Sequence, residues 1–105
     1  MSRTALAALA AALALAGCGG PETLSPEAER GRQVYLAQCL SCHGPDPAQD
    51  GPVAPAIKGA SRELPASRIR DGAYPSGYRP KRPTKVMPPM PAVAADIGVL
   101  TEYLR

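Results

Sequence analysis

Two cysteines and the only histidine of the 105-residue chain fall within five positions, Cys39-Leu40-Ser41-Cys42-His43. The pattern Cys-x-x-Cys-His is that of a c-type haem attachment site. One helical turn between the thiols lets each add to one vinyl group of a porphyrin, and the adjacent His43 is carried beneath the iron as the proximal ligand. Three other chemistries use similar residues. A structural zinc ion needs four ligands, and beyond this pentapeptide the sequence offers no histidine and one cysteine, Cys18, in a targeting segment. A thioredoxin-like redox pair belongs in a βαβ setting, whereas no segment here shows strand alternation. A plain disulfide is permitted after export, but it leaves the composition unexplained.

A sixth iron ligand would come from Met87 or Met90 in Val86-Met87-Pro88-Pro89-Met90-Pro91, each followed by proline. Thioether sulfur suits haem iron and raises its reduction potential, and a proline-stiffened backbone holds a weak ligand with little entropy left to lose. Methionine is also an adaptable core filler, a role that suits Met90 better than Met87.

The composition asks for a non-protein core. Hydrophobic residues make up 45% of the chain, but Ala5 to Ala16 is nothing but Ala and Leu and inflates that figure. From position 19 onward, Leu, Ile and Val number 14 of 87 residues, with no Phe or Trp. That falls below the roughly 20% level expected of a self-sufficient core, while a net charge of only +3 removes the other half of the disorder signature. A two-domain enzyme and an ordinary hydrophobic domain are excluded, and the apolar run is too short for a conventional transmembrane anchor.

Several elements position the candidate ligands. Ser25-Pro26-Glu27 opens a helix that runs to about Gln38, and Pro45, Pro47, Pro52 and Pro55 keep residues 44–55 a loop. A short helix spans Pro65 to Asp71 and stops at Gly72. Six of the 17 residues from Pro75 to Pro91 are proline, giving a stiff extended segment. Val93, Ile97, Leu100 and Leu104 then mark an amphipathic last helix.

Residues 1–17 read as a signal peptide, with a charged start, an apolar run and a small-residue cleavage site. Leu15-Ala16-Gly17-Cys18 resembles the lipobox of bacterial lipoproteins, which implies that Cys18 is lipidated and becomes the first mature residue. The alternative is an ordinary signal peptide with Cys18 incidental. Residues 18–25 form the lipidated N-terminus and a short tether.

Residues 26–105 form the remaining domain, and over nearly all of residues 27–105 the chain resembles the small monohaem cytochromes c of class I. The likeness rests on Gly31 and Tyr35 before the Cys-x-x-Cys-His sequence, on Pro55-Ala56-Ile57-Lys58-Gly59, on Arg68 to Gly72 and on Tyr103. It implies a mostly α fold of three or four helices wrapped around one covalently bound haem c. Gly31 would then allow close crossing by the C-terminal helix, the Pro55 carbonyl would accept the His43 ring N–H, and Ile57 would pack on the haem. Met87 is the preferred ligand because its distance from the last helix is similar to the family pattern; Met90 is the alternative. The basic segment 73–86 departs from the shorter forms of the family.

The resulting expectation is a lipid-anchored periplasmic electron carrier, not an enzyme, serving respiratory redox partner proteins at a membrane and binding no nucleic acid. Arg79, Lys81, Arg82 and Lys85 are candidate docking charges, against the simpler readings of a solvated loop or a partner for a haem propionate. Two rivals stand beside this. One is a dedicated haem subunit of a membrane oxidoreductase complex; the other is a ligand-binding haem sensor or enzyme, should neither methionine ligate.

Overall fold

A computed structural model describes residues 23–83 and 86–105, so the expected signal peptide, Cys18 and Lys85 lie outside the described residues. Helix α1 spans Pro26–Gln38. Ser25 caps it by accepting the Ala28 N–H at 3.1 Å, Pro26 takes the first position, where its missing N–H costs nothing, and Glu27 and Glu29 lie at the positive end of the helix dipole. Cys39 interrupts the helix, and the single turn α2 (Leu40–His43) follows, stopped by Gly44 at φ 77°.

Helix α3 covers Glu63–Asp71, beginning two residues before the expected Pro65. Proline is tolerated there because the first-turn N–H groups have no partner inside the helix. Gly72, at φ 63°, closes α3 in the left-handed conformation that glycine adopts without strain. The amphipathic C-terminal stretch is divided: Pro91–Asp96 is a 3₁₀ helix and Ile97–Leu104 is α4. Pro91 has no N–H to donate, and Val93 bonds back to the Met90 carbonyl, tightening this entry turn to i→i+3 spacing. All four residues of the expected stripe, Val93, Ile97, Leu100 and Leu104, are buried. No strand occurs among the described residues.

The main helix pair is α1 against α4, and Gly31 is where they meet. A Cβ at this position would overlap the Val99 carbonyl and come within 2.9 Å of Tyr103 Cβ. One turn on, Tyr35 and Tyr103 pack with centroids 5.6 Å apart at 57°, a tilted geometry favoured by aromatic quadrupoles. Gly31→Ala should therefore force the backbones apart and destabilise the protein by about 1–3 kcal/mol, the ordinary range for overpacking. A thermal melt of the haem-loaded protein checks this; an unchanged midpoint would show that the crossing has room to spare.

The loop after α2 returns to the far end of α4. Gly59 N–H and the Lys58 ammonium donate to the Leu104 and Tyr103 carbonyls at 2.6 and 3.2 Å, satisfying groups that the helix terminus leaves open. The same loop carries Pro55 and Ile57, so α4 fixes the position of the segment beside His43.

Candidate haem site

Tyr35 anchors the Cys-x-x-Cys-His turn from below. Its hydroxyl donates to the Gly44 carbonyl at 2.8 Å, and burial pushes the phenol up to about 12, keeping it a neutral donor throughout the physiological range. The loop 51–54 wraps the open end of α2, with Val53 and Ala54 N–H donating to the Cys42 carbonyl at 3.2 and 3.0 Å. Gly51 allows this approach, since a Cβ there would overlap the Cys42 carbonyl and the His43 backbone.

From that wrapped loop the Pro55 carbonyl comes within 2.9 Å of His43 Nδ1. A carbonyl only accepts, so Nδ1 carries the proton and Nε2 keeps the lone pair a metal would use. Asp50 holds the next residue in place, accepting the Ala56 N–H at 2.8 Å.

A cavity of about 320 Å³ joins these residues to the proline-rich segment. Its lining includes Cys39, Cys42 and His43, both Met87 and Met90, and apolar groups from Ile57, Leu64, Ile69 and Leu104. Cys39 and Cys42 are not joined to each other, and burial, reinforced by Cys42, pushes the Cys39 thiol up to about 11. Among the described residues no three His, Cys, Asp or Glu side chains come together as a metal site, so the four ligands of a structural zinc are not assembled. Two thiols, an imidazole with a fixed tautomer and a choice of two thioethers on one apolar cavity fit the donor set of a covalently attached haem with histidine and methionine ligands.

Residues 26–104 match the protein family described as "Cytochrome C oxidase, cbb3-type, subunit III". The chain belongs to this cytochrome c family. Family membership implies a covalently bound haem c for the cytochrome. Among solved structures, one described as "c-type cytochrome NirC" is 29% identical over 72% of this chain and 85% of that chain, with a TM-score of 0.48. A comparison with curated proteins gives no match.

The remaining sequence candidates divide. Ile57 is half-buried and packs against the core as well as the cavity. Met87 and Met90 both pack against the core and both reach the cavity, so the cytochrome brings the two alternatives together rather than separating them. Lys81 and Arg82 also line the cavity and are bonded internally, Lys81 to the Ala56 carbonyl at 2.7 Å and Arg82 to Asp50 at 3.5 Å. Arg79 is exposed. The basic segment thus folds back onto the loop that carries Pro55.

Three features of the cytochrome had escaped the sequence. Gly51 lies in a loop where four prolines dominate the pattern, and nothing local distinguishes it from a flexible turn. Tyr74 and Tyr78 stack at 5.5 Å in the segment whose fold the sequence left open. Arg68, read only as part of a family-like helix, is buried at 6% exposure and points its guanidinium at backbone carbonyls.

Proposed function

We propose that the cytochrome is a lipid-anchored periplasmic single-electron carrier, exported by residues 1–17 and tethered through Cys18, with one haem c in the domain 26–105. The observation that carries this reading is the His43–Pro55 bond at the wall of a cavity shared with both thiols and both methionines. A haem bound there supplies the one-electron iron couple. Cys39 and Cys42 would attach it, His43 would ligate through Nε2, Pro55 would fix the ring orientation of His43, Ile57 would pack against it and Met87 would supply the sixth ligand. His43 is the only histidine, so the usual distal acid–base residue of a haem peroxidase is missing and a carrier is favoured over an enzyme.

The family description names an oxidase subunit, and that favours one second reading, a dedicated haem subunit of a membrane complex. Stoichiometric co-purification from detergent-solubilised membranes supports the subunit; a salt-washed cytochrome that still turns over with a separate partner supports the carrier. No helix among the described residues is long and apolar enough to cross a membrane.

Membrane attachment rests on Cys18. Acyl chains contribute about 0.8 kcal/mol per buried methylene, so several chains hold firmly where one is marginal. Cys18→Ser should release the protein into the soluble fraction with its haem spectrum intact. Mass spectrometry of the mature N-terminus decides the point directly, and an unmodified residue 18 contradicts it.

Partner docking rests on the basic segment, now narrowed by the internal bonds of Lys81 and Arg82. An exposed pair such as Arg82–Asp50 adds little to stability and leaves the field of the segment positive. Steered association reaches about 10⁸–10⁹ M⁻¹s⁻¹ at low salt and weakens as the Debye length contracts to about 10 Å at 0.1 M. Electron transfer to an acidic-faced partner should slow steeply with ionic strength, and Arg79→Glu should slow it further without touching the spectrum. Stopped-flow rates indifferent to both changes would return the segment to a purely structural role.

A further inference from the structure

Arg68 is a cation buried beside the cavity, and no carboxylate lies within salt-bridge distance of it among the described residues. Burying such a charge is costly unless other groups replace its water. Two carbonyls and one aromatic face do so: Nη1 donates to the Gly72 carbonyl, Nη2 to the Met87 carbonyl at 2.8 Å, and the guanidinium lies 4.4 Å from the Tyr74 ring centroid. The neighbouring residue of α3 grips the same segment from its other end, with the Ile69 carbonyl accepting the Met90 N–H at 2.8 Å. Between these two bonds Pro89 sits against Gly72, where a Cβ would come within 3.0 Å of Pro89 Cγ. The last turn of α3 and its closing glycine, residues 68–72, therefore set the register of Met87-Pro88-Pro89-Met90.

We infer that Arg68 is the positioning residue for the axial methionine: it ties the Met87 carbonyl to α3 and so holds the Met87 thioether at the iron. This rests on the reading of Met87 as the ligand. A thioether is a weak ligand, and its hold depends on how little freedom its backbone retains. Prolines 88, 89 and 91 stiffen the residues after Met87, but none stands immediately before it. The Arg68 bond supplies a constraint at Met87 itself. Lysine cannot replace it, because a single ammonium lacks the planar fork that reaches two carbonyls while stacking on Tyr74.

The test uses the haem-loaded full chain and added imidazole, which competes with the methionine for ferric iron. Arg68→Lys and Arg68→Met should raise the apparent imidazole affinity by about tenfold or more, the effect of losing a hydrogen bond to a charged group, with Lys intermediate between wild type and Met. The long-wavelength band of the iron–thioether bond should weaken in the same order. If Arg68→Met fails to assemble, the Lys variant alone decides by the same readings. Met87→Ala runs in parallel. If it leaves the band in place, the ligand assignment falls, and the role of Arg68 falls with it. If it removes the band while both Arg68 variants bind imidazole like wild type, the ligand stands and the positioning role is overturned. Unchanged imidazole affinity with a shifted potential assigns Arg68 to the haem carboxylates and equally overturns it.

Discussion

Met87→Ala should abolish the weak absorption band near the red end of the oxidised spectrum, lower the reduction potential and open the reduced iron to carbon monoxide, whereas Met90→Ala should leave all three nearly unchanged. The backbones of the two residues do different work. Met90 donates its N–H to Ile69 and its carbonyl accepts from Val93 at 2.9 Å, so it serves as the entry to the 3₁₀ helix. Met87 stands further from that entry, at the end of the basic segment, with its carbonyl held by Arg68. Axial ligands set haem potentials across roughly 0.8 V, and His/Met ligation lies toward the upper part of that span, so loss of the thioether moves the potential down. Spectroelectrochemistry of the two variants side by side separates the alternatives. If Met90→Ala alone produces these effects, Met90 is the ligand.

The second large effect concerns folding. Cys39→Ala with Cys42→Ala, expressed under conditions that otherwise load the haem, should yield a chain with little cooperative structure. The buried apolar residues among those described are Ala28, Tyr35, Ile69, Val93, Ile97, Leu100 and Leu104, and they lie almost wholly along the contacts of α1, α3 and α4. Apart from Gly44 and Pro47, the loop 44–62 and the segment 73–83 are half-buried or exposed, and both contribute residues to the cavity wall but little core of their own. Ordering each residue costs about 1–2 kcal/mol of backbone entropy, which those segments recover only by packing on something that fills the cavity. Circular dichroism through a thermal ramp checks this; a sharp melt of the double variant would show that the polypeptide core suffices alone.

Much of the fold was legible because local chemistry and tertiary role agreed. Ser25-Pro26-Glu27 marked the start of α1 by capping, and the stripe Val93, Ile97, Leu100, Leu104 marked the buried face of the C-terminal helices through spacing alone. The 3₁₀ character of Pro91–Asp96 was not legible, since apolar spacing at this length does not distinguish i→i+3 from i→i+4 bonding. The two extra residues at the start of α3 were hidden by Pro65, which reads equally well as a first residue or as a member of the first turn.

At the site, sequence chemistry named the side chains proposed to hold the haem but not the backbone groups that position them. Cys39, Cys42 and His43 announce themselves by spacing, and Pro55 was reached through family resemblance; its 2.9 Å contact with His43 is a feature of tertiary structure. The supporting roles of Gly51, Asp50 and Arg68 depend on a close approach, a backbone N–H and a backbone carbonyl, none of which leaves a residue-type signature in the partner segment. The placement of the basic segment was hidden for a related reason. Charge density alone does not show that Lys81 and Arg82 bond back across the surface to the Ala56 carbonyl and to Asp50.

The most direct test is acid–acetone extraction of the purified cytochrome followed by mass spectrometry. One haem should stay with the polypeptide, and the peptide bearing it should contain thioether links at Cys39 and Cys42. Haem that passes into the acetone phase, or a Cys39–Cys42 peptide of unmodified mass, would contradict covalent attachment at this site and with it the proposed function.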